Sequence, residues 1–256
     1  EEKELEDGKV QTTYVDSMIM STYLVAFVIG ELEITEIGNV GNTQIRIIHR
    51  PGFSHQTGFA GKAGLKILEF FENYYKIPYP GSKLDLIAIP DFAMGAMENV
   101  GAVTFRESLL LIDESKATRQ ELSRSVSVIA HELAHMWFGD LVTMKWWDGI
   151  WLNEAFASLM EAIAANGTYP EFEQWSEMNL SRSAGFGVDS LKNSRPVEFE
   201  VETPEQAEEM FDVLTYEKGS TVLKMFEMFV GEEVFQAGVQ KYLNKYKFQN
   251  SHSSDL

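Results

Sequence analysis

Two histidines four residues apart, His131 and His135, bracket Glu132 in the run HELAHMWFGD, and Glu154 follows in WLNEAFASLMEA. On an α-helix, positions i and i+4 share a face, so the two imidazoles can converge on one ion. Glu132 then lies beside that ion, where it can take a proton from water at the metal. A third ligand from Glu154 leaves one coordination position open, which is the pattern of a catalytic zinc site holding one Zn2+. The chemistry these residue types point to is zinc-dependent hydrolysis.

The elements that must position these residues are readable around them. Ser123 or Ser125 can cap the first helix, and Val126, Ile129, Leu133 and Trp137 supply apolar residues at helical spacing. Gly139-Asp140 is a plausible stop. Trp146 to Gly149 reads as a turn, and Ile150 to Asn166 as a second helix with Glu154 one turn inside it. A carboxylate among Trp146, Trp147, Trp151 and Phe156 is strongly disfavoured without a cation. Glu161 lies on the same face and is placed to orient a ligand. Upstream, LDLIAI (84–89) reads as a buried strand ended by Pro90-Asp91, and AVTFRESLLLI (102–112) as a second strand. Between them Gly95 lets the backbone approach a ligand closely.

Helices are expected near 55–76, 204–230 and 232–247. Residues 1 to about 48 read as strands, in TTYV, STYLVAFVI, ELEITEIG and TQIRIIHR. The pattern suggests an α+β unit over 49–256 preceded by a β-rich piece over 1–48. With 256 residues and 45% hydrophobic content the chain can bury a large core. A formal charge of −18 argues against nucleic acid or an anionic membrane as partner. No stretch approaches the roughly 18 apolar residues of a membrane span. The acidic start EEKELEDG lacks signal-peptide character, and zero cysteines exclude disulfides and fit a reducing, cytoplasmic setting.

The run HELAHMWFGDLVTMKWWDGIWLNEAFA resembles the zinc-binding stretch of the aminopeptidase N family, the gluzincin aminopeptidases. Gly95-Ala96-Met97-Glu98-Asn99 is similar to that family's GAMEN exopeptidase motif in every letter, and VGAVTFRE follows it. MSTYLVAFVIGELE and VLTYEKGSTVLKM extend the likeness over almost the whole chain. The resemblance implies a thermolysin-like metallopeptidase catalytic domain over 49–256, after the end of an all-β domain in 1–48. It implies zinc on His131, His135 and Glu154, Glu132 as general base, and Tyr216 of LTYEKG as donor to the developing oxyanion. Read without it, Tyr216 opens an apolar-periodic helix (Val222, Met225, Phe226, Phe229) and would be a packing or capping residue.

Glu98 is implied to hold the free amino terminus of a peptide by a charge-assisted hydrogen bond, while backbone nearby aligns the peptide as an added strand. Met94, with Ala93, is the candidate for contacting the first side chain. A flexible apolar methionine there suits a neutral residue, with core packing of Met94 the competing reading. The resemblance further implies domains on either side of this chain, so an excised piece with an assembled site and weak or no turnover is expected. Two other classes stay open: an epoxide hydrolase of the leukotriene type, against which the full GAMEN argues, and a non-catalytic peptide-binding module.

Overall fold

The alternating apolar residues of TQIRIIH and the continuous apolar run of KLDLIAI form the middle of a mixed sheet, half-buried and fully buried strands respectively. The computed structural model describes residues 2–256. After a short antiparallel hairpin of β1 (Glu2–Glu4) and β2 (Val10–Thr12), the chain reaches a second hairpin, β3 (Glu33–Val40) and β4 (Thr43–His49). Helix α1 (Gly58–Tyr75) carries it across to β5 (Lys83–Ile89), which runs parallel to β4. The edge strand β6 (Ala96–Met97) then turns back antiparallel to β7 (Ala102–Arg106), itself parallel to β5. The spatial order is β3-β4-β5-β7-β6.

The remaining chain is helical. A four-residue turn α2 (Glu107–Leu110) leads to α3 (Arg119–His135), a short β8 (Val142–Met144) and α4 (Ile150–Thr168). There follow α5 (Gln174–Asp189), α6 (Pro204–Glu209), α7 (Gly219–Val230) and α8 (Glu232–Tyr246), then β9 (Gln249–Ser251), which pairs in parallel with β8. The core joins both halves. Ile45, Ile47, Leu84, Leu86, Val103 and Phe105 of the sheet and Ile67, Leu68 and Phe71 of α1 are buried in one cluster with Val126, Ile129 and Leu133 of α3. Helix α4 buries side chains around most of its circumference, the mark of a central helix. Among the described residues no helix is long and apolar enough to cross a membrane.

The architecture is α+β, as expected, but several local expectations fail. TTYV and STYLVAFVI do not form the strands their composition suggests; beyond β2 this stretch is irregular apart from a single 3-10 turn at Thr22–Leu24. β-branched and aromatic residues stabilise a strand only against a neighbour, and here Phe27 and Ile29 are 87% and 96% exposed. An all-β unit over 1–48 is therefore not seen. The boundary at 48/49 also falls inside the main sheet, because β4 is hydrogen-bonded to β5 from Gln44↔Lys83 to Ile48↔Ile87. In 102–112 the strand stops at Arg106 and ESLL turns helical. The expected helix over 204–230 is broken between α6 and α7 by a five-residue π-helical segment, Leu214–Lys218.

Candidate metal and substrate site

Helix α3 starts at Thr118, whose side chain accepts from the Glu121 N–H while the Glu121 carboxylate accepts from the Thr118 N–H. Neither Ser123 nor Ser125 is the cap; Ser125 is buried inside the helix and donates to the Leu109 carbonyl at 2.6 Å. With Val126, Ile129, Ala130 and Leu133 turned into the core, His131 and His135 share another face. The Phe138 ring stacks on Phe156 of α4 with centroids 4.1 Å apart, holding the end of α3 against the helix that carries Glu154.

Three donor atoms meet between these helices. His131 Nε2 and His135 Nε2 are 3.1 Å apart, and Glu154 Oε2 lies 3.3 Å from the first and 3.2 Å from the second. Tetrahedral zinc with bonds of about 2.0–2.1 Å requires donor separations of about 3.3 Å, so this triangle fits one such ion. The far nitrogens fix the ring orientation. His135 Nδ1 sits 2.9 Å from the Phe138 carbonyl, an acceptor only, so Nδ1 carries a proton and Nε2 is the nitrogen that faces the triangle. His131 Nδ1 lies 3.1 Å from Glu161 Oε2, and Glu161 also accepts from Ser127 Oγ. Glu161 thus contacts the His131 nitrogen that faces away from the triangle, the contact a ligand-orienting carboxylate would make.

The electrostatics are those of buried carboxylates and imidazoles compensating one another. Burial pulls the His131 imidazole down, but hydrogen bonds to Glu154 and Glu161 raise it to about 9. Burial likewise opposes the charged form of His135, and the charges of Glu98 and Glu154 lift it well above the usual range. Glu154 is pushed up by burial but held far below the ordinary carboxylate range by the His135 charge and by hydrogen bonds from both rings. A bound cation would take the place of those imidazole protons. Glu132, 6% exposed, is raised to about 8 by burial, which outweighs the two imidazoles.

The other predicted residues arrive from different elements. Glu98 follows β6 directly and is 5% exposed; burial raises its carboxyl, against the charge of His135. Asn99 is fixed at both ends, donating to the Leu24 carbonyl at 3.1 Å and accepting from Thr104 Oγ1 at 2.9 Å. Gly95 accepts from the Arg106 N–H at 2.9 Å, and the Arg106 guanidinium donates to the Ala93 carbonyl at 2.8 Å, bracing the loop before β6. Ala96 and Met97 form the edge strand. Tyr216 comes from the π-helical segment, its ring stacked on His131 with centroids 5.9 Å apart. Burial and the Glu154 carboxylate push its phenol far above the ordinary range, so it remains a proton donor. The segment can come this close because Gly219, at the start of α7, lies against Ala155; a Cβ there would stand 2.6 Å from that of Ala155.

A cleft of about 1030 Å³ opens onto His131, Glu132 and Tyr216, with Met94, Gly95 and Ala96 along one wall and Arg124 and Val128 of α3 along another. Met94 is 58% exposed at this wall, so it is not a core residue. Sequence reasoning passed over Arg124, although its place one turn before Val128 and two before His131 on α3 was available as a signal. It also passed over Tyr23 and Asn153, whose contacts no local pattern encodes. Asn153 Nδ2 reaches Met144 Sδ at 2.8 Å and the Tyr23 hydroxyl at 3.4 Å.

Comparison with known proteins shows the family. Residues 59–256 match the peptidase family M1 domain. The chain is 46% identical to human (Homo sapiens) endoplasmic reticulum aminopeptidase 2 over 256 residues, covering 99% of this chain and 26% of that protein. It is also 46% identical to probable aminopeptidase 1 of Sulfurisphaera tokodaii over 254 residues, covering 98% of the chain and 32% of that protein. To the puromycin-sensitive aminopeptidase of Caenorhabditis elegans it is 42% identical over 252 residues, 98% of the chain and 27% of that protein. The chain thus spans between about a quarter and a third of the length of these relatives.

Proposed function

Since the chain belongs to peptidase family M1, we propose that it forms the catalytic part of a zinc aminopeptidase, removing the first residue of peptides that carry a free amino end. The observation that carries this reading is the His131–His135–Glu154 triangle with Glu132 beside it and Glu98 buried within the same set of charges. His131, His135 and Glu154 would hold the ion. When bound, zinc supplies Lewis acidity to the scissile carbonyl and to water.

Glu132 accepts the proton of the attacking water and returns it to the leaving amine. Its position on the cleft wall, directly beside His131, suits that shuttle. Tyr216 donates to the oxygen on which negative charge develops, a task that requires the phenol to stay protonated. Glu98 accepts from the substrate ammonium, so that only a terminal residue reaches the ion. The free edge of β6 lets the peptide backbone lie alongside it as an extra strand. Met94 at the cleft wall favours a neutral or apolar first side chain.

The test compares hydrolysis of a fluorogenic leucyl-amide, free and N-acetylated, with and without a zinc chelator. Weak but chelator-sensitive cleavage of the free amine alone is expected. Equal cleavage of both forms, or cleavage untouched by the chelator, would overturn the reading.

A further inference from the structure

A second cavity, of about 300 Å³, lies at the connection between α3 and α4, where Ser21, Thr22, Asp140, Thr143, Gln249 and Asn250 line it. Thr22, Gln249 and Asn250 are exposed, whereas Asp140 and Thr143 are 3% and 7% exposed, so the cavity leads from the surface down to the aspartate. Among the described residues neither oxygen of the Asp140 carboxylate has a hydrogen-bond partner. Aspartates in tight turns ordinarily accept from a backbone N–H close by. This turn is closed without the side chain. The Gly139 N–H donates to the Val142 carbonyl at 2.9 Å, Thr143 Oγ1 to the Gly139 carbonyl at 2.7 Å, and the Asp140 N–H to the His135 carbonyl at 3.0 Å. A buried carboxylate that the fold leaves unpartnered is strongly disfavoured unless something else compensates it.

The polar groups around it present oxygen lone pairs. Thr143 Oγ1 has spent its proton on Gly139, and Asn250 Nδ2 donates to the Met144 carbonyl at 3.1 Å, which leaves the Asn250 Oδ1 as the free end of that amide. Ser21, Thr22 and Gln249 add further neutral oxygens, and no histidine or cysteine lines the cavity. One carboxylate among neutral oxygens is the ligand chemistry of a hard cation rather than of zinc. We propose that this cavity binds a calcium ion, held by the Asp140 carboxylate and completed by the surrounding side-chain oxygens and water. Calcium accepts six to eight oxygens in irregular geometry, as suits donors drawn from three separate stretches of chain, whereas magnesium demands a near-ideal octahedron. The volume has room for the ion and several waters. Burial and the charges of Glu98 and Glu132 press against the ionised form of Asp140, with His135 favouring it, so a cation here relieves crowded negative charge. The ion would fasten the turn at Thr22–Leu24 and the strand β9 to the loop that follows the two histidines. This holds whether or not the chain is an aminopeptidase.

The experiment titrates calcium chloride into the zinc-loaded protein at about 0.15 M potassium chloride, where exposed charges are largely screened. Binding is followed by calorimetry and by the thermal midpoint, for the unaltered protein, Asp140→Asn and Thr22→Lys. One equivalent of calcium should bind with Kd of about 10⁻⁴–10⁻³ M, as a single carboxylate allows, and raise the midpoint. Asp140→Asn keeps the shape and removes the charge; Thr22→Lys sets an ammonium at the exposed rim. Each should weaken calcium binding about tenfold or more. Zinc content measured in parallel tells loss of the metal triangle apart from loss of the calcium site. Absence of saturable calcium binding by the unaltered protein would refute the proposal and leave Asp140 neutralised by a proton. Equal binding by the unaltered protein and both variants would assign the ion to the acidic surface, and refute it as well. Should Asp140→Asn fail to fold, Thr22→Lys decides alone, because that side chain is exposed.

Discussion

Glu132 makes no side-chain hydrogen bond among the described residues, although it is buried beside two imidazoles. A carboxylate committed to structure would have a partner; one that receives and releases protons needs its lone pairs free. Glu132→Gln keeps the shape and removes the basicity. The protein should retain one equivalent of zinc by metal analysis while kcat falls by about 10²–10⁴, and undiminished turnover would take Glu132 out of the role. Glu161 acts through His131, accepting from its Nδ1. Glu161→Gln should weaken zinc binding by about 10–100-fold in chelator competition; an unchanged affinity would mean that the 3.1 Å contact does not tune the ligand. These residues were legible because HELAH and the following glutamate encode their chemistry in residue type and spacing. Tyr216 was not legible without the family likeness, because its approach to His131 depends on a π-helical turn and on the missing side chain of Gly219.

At the scale of elements, what could be read was what is periodic and buried. Helices α1, α4 and α8 and strand β5 lie close to where the apolar pattern puts them. Helix α5 escaped because its only buried residues are Gln174 and Gly185, which leave no apolar stripe to read. The strands foreseen over 12–29 failed for the opposite reason: their apolar side chains are present but have no neighbouring strand. The start of α3 was misjudged since Ser125 looks like a cap, while the reciprocal pair Thr118 and Glu121 caps the helix. Thr118→Ala should therefore lower unfolding stability by about 1 kcal/mol in urea titration, leaving KM unaltered. A Ser125 cap would predict no loss at Thr118.

For the molecule as a whole, the proposed ion would cross-link α3 to α4, two helices that otherwise meet through Phe138, Phe156 and their neighbours. A ligand that binds only the folded state stabilises it by mass action, about 2.7 kcal/mol when free ligand exceeds Kd a hundredfold. Chelation should lower the thermal midpoint and added zinc should restore it; a midpoint indifferent to both would argue against a metal at the triangle. The connection between α3 and α4 is itself held from afar. Thr143 pairs with Asn250, the Lys145 N–H donates to the Ser251 carbonyl at 2.9 Å, and Asn250 Nδ2 donates to the Met144 carbonyl at 3.1 Å. On the ribosome, the segment that fastens this loop emerges roughly a hundred residues after it, a delay of about 5–20 s. The histidines are made before the segment that fastens their loop, so the proposed metal triangle takes its final shape only after β9 has emerged.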